Sequence, residues 1–404
     1  MTQDRKAQIK EALKQLHSGV PPEEVKERFK TVFEGTDSLE ITKIEDELAK
    51  EGMKREDLRK LCDVHMAVFR DQIERQHPEL KPSQPISILM EEHKIMTVKA
   101  QQLVALAKKI YEVNEVEYVK EDIHQVEHLV SDFVDSEKHY QREENVLFPL
   151  LEKHGITEPP SIMWMEHDQI REQKHKLEAL VKNFNVENYS NFKQQLWDTA
   201  QEIGNLLPSH FYKENNILFP AALSVVTEQE WVEARQEFDA IGYCCFTPPE
   251  LTKPQKQEAV TTQASTQAKT VPLENGGLKQ TQINSLLNTL PIEITFVDEN
   301  DTVQYFNKPE KMIFVRTKSI VGRKVQNCHP QKSLDTVVQI VNSFKSGKKN
   351  SAEFWINLNG RMVFIRFFAV RDGQGKYLGT VEVVQDVTEI QKLTGEKRLL
   401  DWSD

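Results

Sequence analysis

Two stretches of this chain repeat one another at the positions that could do chemistry. Residues 139–149 read HYQREENVLFP and residues 210–220 read HFYKENNILFP. His139 and Glu143 answer to His210 and Glu214, and Leu147, Phe148 and Pro149 to Leu218, Phe219 and Pro220. The differences are mild, with Tyr140 against Phe211 and Arg142 against Lys213. A helical residue turns the chain by about 100°, so a His and a Glu four apart share one face. A Glu-His pair lies upstream of each copy, Glu92-His93 before the first and Glu166-His167 before the second. Each half therefore offers two imidazoles and a carboxylate. Six ligands are too many for one tetrahedral zinc. They suit two metal ions bridged by the carboxylates, with coordination left open for a small exogenous ligand. Mixed nitrogen and oxygen ligation fits iron, and manganese or zinc less well. Helices that shared these residues only for packing would bury unpaired polar groups at considerable cost.

Four long helical segments must position these groups. Apolar periodicity places segment A at about 86–113, with Ile88, Leu89, Ile95, Met96, Leu103, Leu106 and Ile110 as its stripe. Segment B covers about 122–154 and stops at Gly155, Pro159-Pro160 opens segment C at about 161–184, and segment D runs from about 189 to 225. Long helices with short connections predict an antiparallel four-helix bundle. Pro208 predicts a kink in segment D. Glu144 and Asn215 point about 100° from their neighbouring ligands and read as surface or supporting groups. Tyr140 and Tyr212 either reach a metal-bound ligand or pack in the core. His124, His128 and His175 are further imidazoles, but His128 lies about 16 Å from His139 along the helix, and His175 about 12 Å from His167. Those distances favour solvated or packed histidines over ligands.

The order of the residues sets this motif apart from ferritin-like bundles, which use Glu-x-x-His. Residues 85–226 resemble the hemerythrin-like HHE cation-binding domains, with His93, His139, Glu143, His167, His210 and Glu214 at the motif positions. The resemblance implies a non-haem centre of two Fe ions that binds O2 or NO. Oxygen-carrying hemerythrins have a His four residues after the third-helix His, where this chain has Arg171, and an Asp five after the fourth-helix His, where Glu214 lies four after His210. The pattern is nearer the iron-sulfur-cluster repair proteins of the HHE group. Those carry an extra His late in the first helix, near which this chain has Asn114.

The remainder reads as flanking equipment. Residues 1–82 form charged amphipathic helices, including one from about Arg55 to Gln76. On it Cys62 and His65, one turn apart, either share a metal or redox role or belong to an apolar stripe. This segment resembles an uncharacterised helical domain found ahead of HHE and PAS domains in a bacterial and archaeal family. The bundle domain takes in residues 85–246. Residues 247–282, rich in Thr, Gln, Lys and Pro, read as a flexible linker. From 291 the periodicity changes to strands at 291–307, 352–358, 361–370 and 377–387, broken by DEND, Asn359-Gly360 and DGQG, with a helical middle at about 308–346. That order, and the closing Asp386-Val387-Thr388, make residues 283–390 resemble a PAS domain. PAS domains bind small ligands or haem, or relay signals as dimers, so His329 is a candidate haem ligand. Residues 391–404 are expected to form a helical tail. The expected architecture is multidomain, with an all-α N-terminal domain, a hemerythrin-like four-helix bundle and an α+β PAS domain.

Composition narrows the partners. The 63 acidic and 52 basic side chains leave a net charge of −11, which disfavours nucleic acid and anionic membranes. The charged N-terminus lacks an apolar signal core, no run is long enough to span a membrane, and the four cysteines form no CxxC pair. The sequence therefore predicts a cytoplasmic protein. No kinase, cyclase or DNA-binding motif is present, so a signal would pass to another protein or through a PAS-mediated homodimer. Three functions fit: a sensor of O2, NO or redox state; an iron donor or repair protein for damaged iron-sulfur clusters; and a di-iron enzyme consuming peroxide or NO.

Overall fold

The computed structural model describes residues 84–253 and 270–397, the stretch 20–29, and scattered positions at 7–18 and 43–52. The helix expected over 55–76, with Cys62 and His65, lies outside the described residues. The chain divides near residue 256 into two compact units.

In the first unit, α1 (Pro22–Arg28) opens with Pro at its first position, where the missing N–H costs nothing. The bundle begins with α2 (Pro85–Glu112). Segment B is a rod of α3 (Lys120–Asp135), α4 (Glu137–Arg142), a wide π turn (Glu143–Leu147) and α5 (Phe148–Lys153). Segment C is α6 (Glu158–Lys182). Segment D is α7 (Tyr189–Lys213), a second π turn (Glu214–Leu218) and α8 (Phe219–Val225). The helix α9 (Glu228–Ile241) follows, started by a reciprocal cap between Thr227 and Glu230. Pro208 sits within the continuous span of α7, and the change of winding comes only at Glu214. At Gly204 an added Cβ would stand 2.6 Å from Val104 Cγ2, so α7 and α2 approach closely there.

Apolar residues form two clusters along the bundle. One holds Ile86, Leu89, Phe148, Leu151, Ile162, Leu218 and Phe219, and the other Met96, Leu103, Phe133, Tyr140, Ile170, Leu207 and Phe211. On each of the four segments the predicted ligands fall between residues of one cluster and residues of the other. Fully burying a Leu or Phe is worth roughly 1.5–3 kcal/mol, so the two clusters can offset a polar layer between them.

The second unit carries a hairpin of β1 (Thr270–Leu273) and β2 (Gly276–Lys279), then α11 (Gln280–Thr289), numbered after the single turn α10 (Pro249–Thr252) of the first unit. The expected linker therefore contains secondary structure at both ends, while 254–269 lie outside the described residues. An antiparallel sheet follows, made of β3 (Glu293–Asp298), β4 (Val303–Phe306), β5 (Ser351–Leu358), β6 (Arg361–Arg371) and β7 (Tyr377–Asp386), in the order β4-β3-β7-β6-β5. Asp298 Oδ1 accepts from the N–H groups of Asn300 and Thr302, and so builds the DEND turn. An added Cβ at Gly379, where φ is +154°, would meet Val297 O at 2.2 Å, which reserves that point of β7 for glycine.

Two expectations here need correction. The helical middle is one helix, α12 (Gln331–Lys345), preceded by short 3-10 turns at Lys318–Ile320 and Val325–Cys328. Gly322, at φ +92°, and Pro330, which lacks a donor, interrupt the helical pattern. The tail is not a helix over 391–397 either: one 3-10 turn, Ile390–Lys392, gives way to extended backbone at Leu393.

Candidate metal centre

All six predicted ligands converge. His93, His139, Glu143 and Glu214 form one cluster of ligand atoms, and Glu143, His167, His210 and Glu214 a second. Both carboxylates belong to both clusters. His93 Nε2 lies 3.2 Å from Glu214 Oε2, and His210 Nε2 3.2 Å from Glu214 Oε1. His139 Nε2 and His167 Nε2 each lie 3.4 Å from Glu143 Oε2. His93 and His139 bring their Nε2 atoms to 3.0 Å. Four imidazoles thus present the same nitrogen to a centre crossed by two carboxylates.

The π turns occur where these carboxylates sit. Phe148 N–H reaches back to Glu143 O, and Phe219 N–H to Glu214 O, five residues in each case. The next residues, Pro149 and Pro220, have no N–H, and their rings crowd the carbonyl four residues earlier. A widened turn relieves that clash, and such turns recur at functional sites.

Behind every inward nitrogen stands an acceptor for the other one. His139 Nδ1 meets Glu92 Oε2 at 2.7 Å, and His210 Nδ1 meets Glu166 Oε2 at 2.9 Å. His167 Nδ1 meets Glu144 Oε1 at 2.8 Å, and His93 Nδ1 meets Asn215 Oδ1 at 2.9 Å. Each contact crosses between helices, and the halves correspond: Glu92 with Glu166, Glu144 with Asn215. Such bonds fix the tautomer, so that Nε2 carries the lone pair inward. Glu144 and Asn215 are therefore supporting groups, as one of their two sequence readings had it.

Basic residues hold the three carboxylate acceptors ionised. Arg142 donates to Glu92 at 2.7 Å and its repeat partner Lys213 to Glu166 at 2.6 Å, while Arg171 forks onto Glu144 at 2.8 and 2.9 Å. Arg171, at the position where oxygen carriers have a His, thus steadies the carboxylate behind His167. Burial pushes Glu166 upward, but the hydrogen bond from His210 and the Lys213 ammonium outweigh it and leave the carboxyl at about 2. Glu144 is held at about 2 against the same burial by Arg171 and His167. With no metal at Nε2, burial disfavours a charged His210, yet Glu214 and Glu166 raise it to about 9.

The inner atoms fit cations. Both carboxylate oxygens of Glu143 and of Glu214, with Nε2 of His167 and of His210, are buried and lack a hydrogen-bond partner. Carboxylates and imidazole nitrogens stranded at full burial cost several kcal/mol each unless something positive lies between them. Two divalent or trivalent ions, each within reach of two imidazoles and two carboxylates, would answer that need.

Family comparisons agree with this geometry. Residues 84–222 match the family model for the hemerythrin HHE cation-binding domain. The chain carries an HHE domain. Residues 283–388 match a PAS domain, and residues 9–75 a family of unknown function (DUF438). Curated relatives include the iron-sulfur cluster repair protein YtfE of Yersinia pseudotuberculosis serotype IB and that of Yersinia pestis strain Pestoides F, each 31% identical over 90 residues. That match takes in 21% of this chain and 41% of either relative, so the chain spans under half the length of the curated relatives it matches. A solved C-terminal domain from Streptococcus mutans is 38% identical, covering 31% of this chain and 98% of that one, with a TM-score of 0.30.

Beyond the matched HHE residues, a strap after α9 closes over one half of the centre. Thr247 donates its hydroxyl to Glu92 Oε1 at 2.5 Å. The Tyr243 ring lies 4.8 Å from the Arg142 guanidinium, and Cys244 Sγ is 3.9 Å from its nitrogen. Cys245 N–H donates to Asp135 Oδ2 at 2.6 Å. Burial pushes the Cys244 thiol up to about 12 and the Cys245 thiol up to about 11, so neither is a ready thiolate. The sequence showed this stretch only as IGYCCFTPP, which has no periodicity to read.

The remaining candidates fall elsewhere. His124 and His128 are exposed and paired at 3.2 Å, and His175 is exposed. Asn114 accepts from Lys193 beyond the end of α2, roughly 30 Å along the axis from His93. His329 donates Nδ1–H to Val325 O at 2.8 Å, so its ring closes the turn before α12. Among the described residues, no helix is long and apolar enough to cross a membrane.

Proposed function

We propose that this chain is a cytoplasmic sensor in which a non-haem di-iron HHE centre responds to O2, NO or redox state and passes the change to its PAS domain. The observation that carries the reading is the path from the centre to the strap: His139 bonds Glu92, and Glu92 bonds Thr247. His93, His139, Glu143, His167, His210 and Glu214 would hold the metal. Iron there supplies open coordination for a small ligand and a one-electron couple. Glu92 holds the His139 ring, and any movement of that ring is felt by the hydroxyl of Thr247. A bound ligand shifts populations only by its different affinity for two states, and the strap is the element bonded to the support of His139. The downstream partner would be a protein, reached directly or through a PAS-mediated homodimer, and the net charge of −11 speaks against nucleic acid. Hydrogen exchange on iron-loaded protein tests this. NO or O2 is expected to change protection at residues 242–253, and an unchanged pattern would overturn the sensor.

A second reading, repair of damaged iron-sulfur clusters or donation of iron to them, is favoured by the likeness to the two Yersinia proteins. Recovery of a nitrosylated cluster enzyme in a purified mixture, without any change in the strap, would select it.

A further inference from the structure

The repeat packs an aromatic ring against an imidazole in each half of the centre, and the two rings differ by one hydroxyl. Phe211 stacks on His93, with ring centroids 4.1 Å apart and planes 13° apart. Its counterpart Tyr140 stands against His167, at 4.6 Å and 58°. Phe219 and Phe148 cover the same two imidazoles from elsewhere, at 5.4 and 5.6 Å. One ring role is thus filled by Phe in one half and by Tyr in the other. Packing alone asks for no hydroxyl at 140.

That hydroxyl is buried and has no hydrogen-bond partner, and Tyr140 is fully buried. Its ring centroid lies 4.6 Å from that of His167, 5.2 Å from that of His139 and 6.4 Å from that of His210. The Lys174 ammonium lies 4.7 Å from the ring centroid and the Arg171 guanidinium 5.9 Å from it. These cations are attracted to the ring and place positive charge beside the phenol. Tyr140 belongs to the buried cluster that also holds Met96, Ile170, Leu207 and Phe211. A buried donor left unmade is costly, and a ligand with a lone pair would complete it.

We infer that Tyr140 donates a hydrogen bond to a small anion bound at the His167 and His210 side of the centre, and so gives the two metal positions unequal affinity for exogenous ligands. The inference rests on the di-iron reading. Tyr212, the other tyrosine near the motif, is only half-buried and is assigned no such role.

Azide is a suitable probe, because its binding to ferric protein can be followed by charge-transfer absorbance. Tyr140→Phe keeps the ring and removes only the hydroxyl. It is expected to weaken azide binding roughly tenfold with iron content unchanged, as loss of one hydrogen bond to a charged acceptor implies. Tyr212→Phe is expected to leave the affinity alone. Equal affinities in wild type and Tyr140→Phe, equal losses in both variants, or no azide binding by iron-loaded protein would overturn the role given to Tyr140. Wild-type protein that takes up no iron would defeat the di-iron reading itself, and the inference with it.

Discussion

Thr247 donates its hydroxyl to the fully buried carboxylate of Glu92, 155 residues away in sequence. Glu92 also accepts from His139 and Arg142 of α4, so three donors from two parts of the chain meet on one acceptor. The strap is therefore bonded to the support of the metal centre and not merely laid over it. Thr247→Val preserves shape and removes the donor. Amide protection across residues 243–247 is expected to fall roughly tenfold, as loss of one hydrogen bond to a charged group implies, with iron binding retained. Unchanged exchange would show that the strap is held by Tyr243 and Cys245 alone.

Arg142 is fully buried, and its charge answers Glu92. Removing one partner of a buried ion pair leaves the other uncompensated, at about 3–5 kcal/mol. Arg142→Met should therefore destabilise the bundle by about 3 kcal/mol in urea unfolding. Lys213→Met, its repeat counterpart on Glu166, should do likewise. A loss below about 1 kcal/mol in either variant would contradict the supporting role of these cations.

Glu166 gives the pH dependence of the metal-free protein a definite sign. Its folded-state value of about 2 lies below the ordinary 4.5, so its contribution is present above pH 4.5 and is lost as pH falls towards 2. A depression of that size is worth about 3 kcal/mol in full, of which about 2 kcal/mol goes between about pH 6 and about pH 3. Glu166→Gln should flatten the urea-midpoint profile over that window by about this amount. An equally steep profile in the variant would show that Glu166 is not held ionised.

Much of this was legible in the sequence, for reasons that differ by residue. His139 with Glu143 and His210 with Glu214 were readable because four-residue spacing fixes a shared helix face, and the repeat marked both sets at once. Glu92 and Glu166 were visible as Glu-His pairs. Their role was not, because each reaches a histidine on the following segment and a linear pattern says nothing of what lies across a bundle. Pro149 and Pro220 fall inside segments B and D, whose apolar pattern runs on through them, and the widened turns before them are legible only in the structure. Pro208, from which a kink was expected, stays within α7. In the second unit the strands were marked by turn chemistry at Asp298 and at Asn359-Gly360. The helical middle expected at 308–346 narrows to α12 and two short turns because Gly322 and Pro330 interrupt it.

Counting iron in wild type beside Glu143→Gln and His210→Ala tests the shared-carboxylate centre most directly. Because Glu143 belongs to both ligand clusters and His210 to one, wild type should hold two ions per chain, Glu143→Gln should lose both, and His210→Ala should keep one. A wild type with one ion or none, or a Glu143→Gln protein that still holds two, would contradict the account.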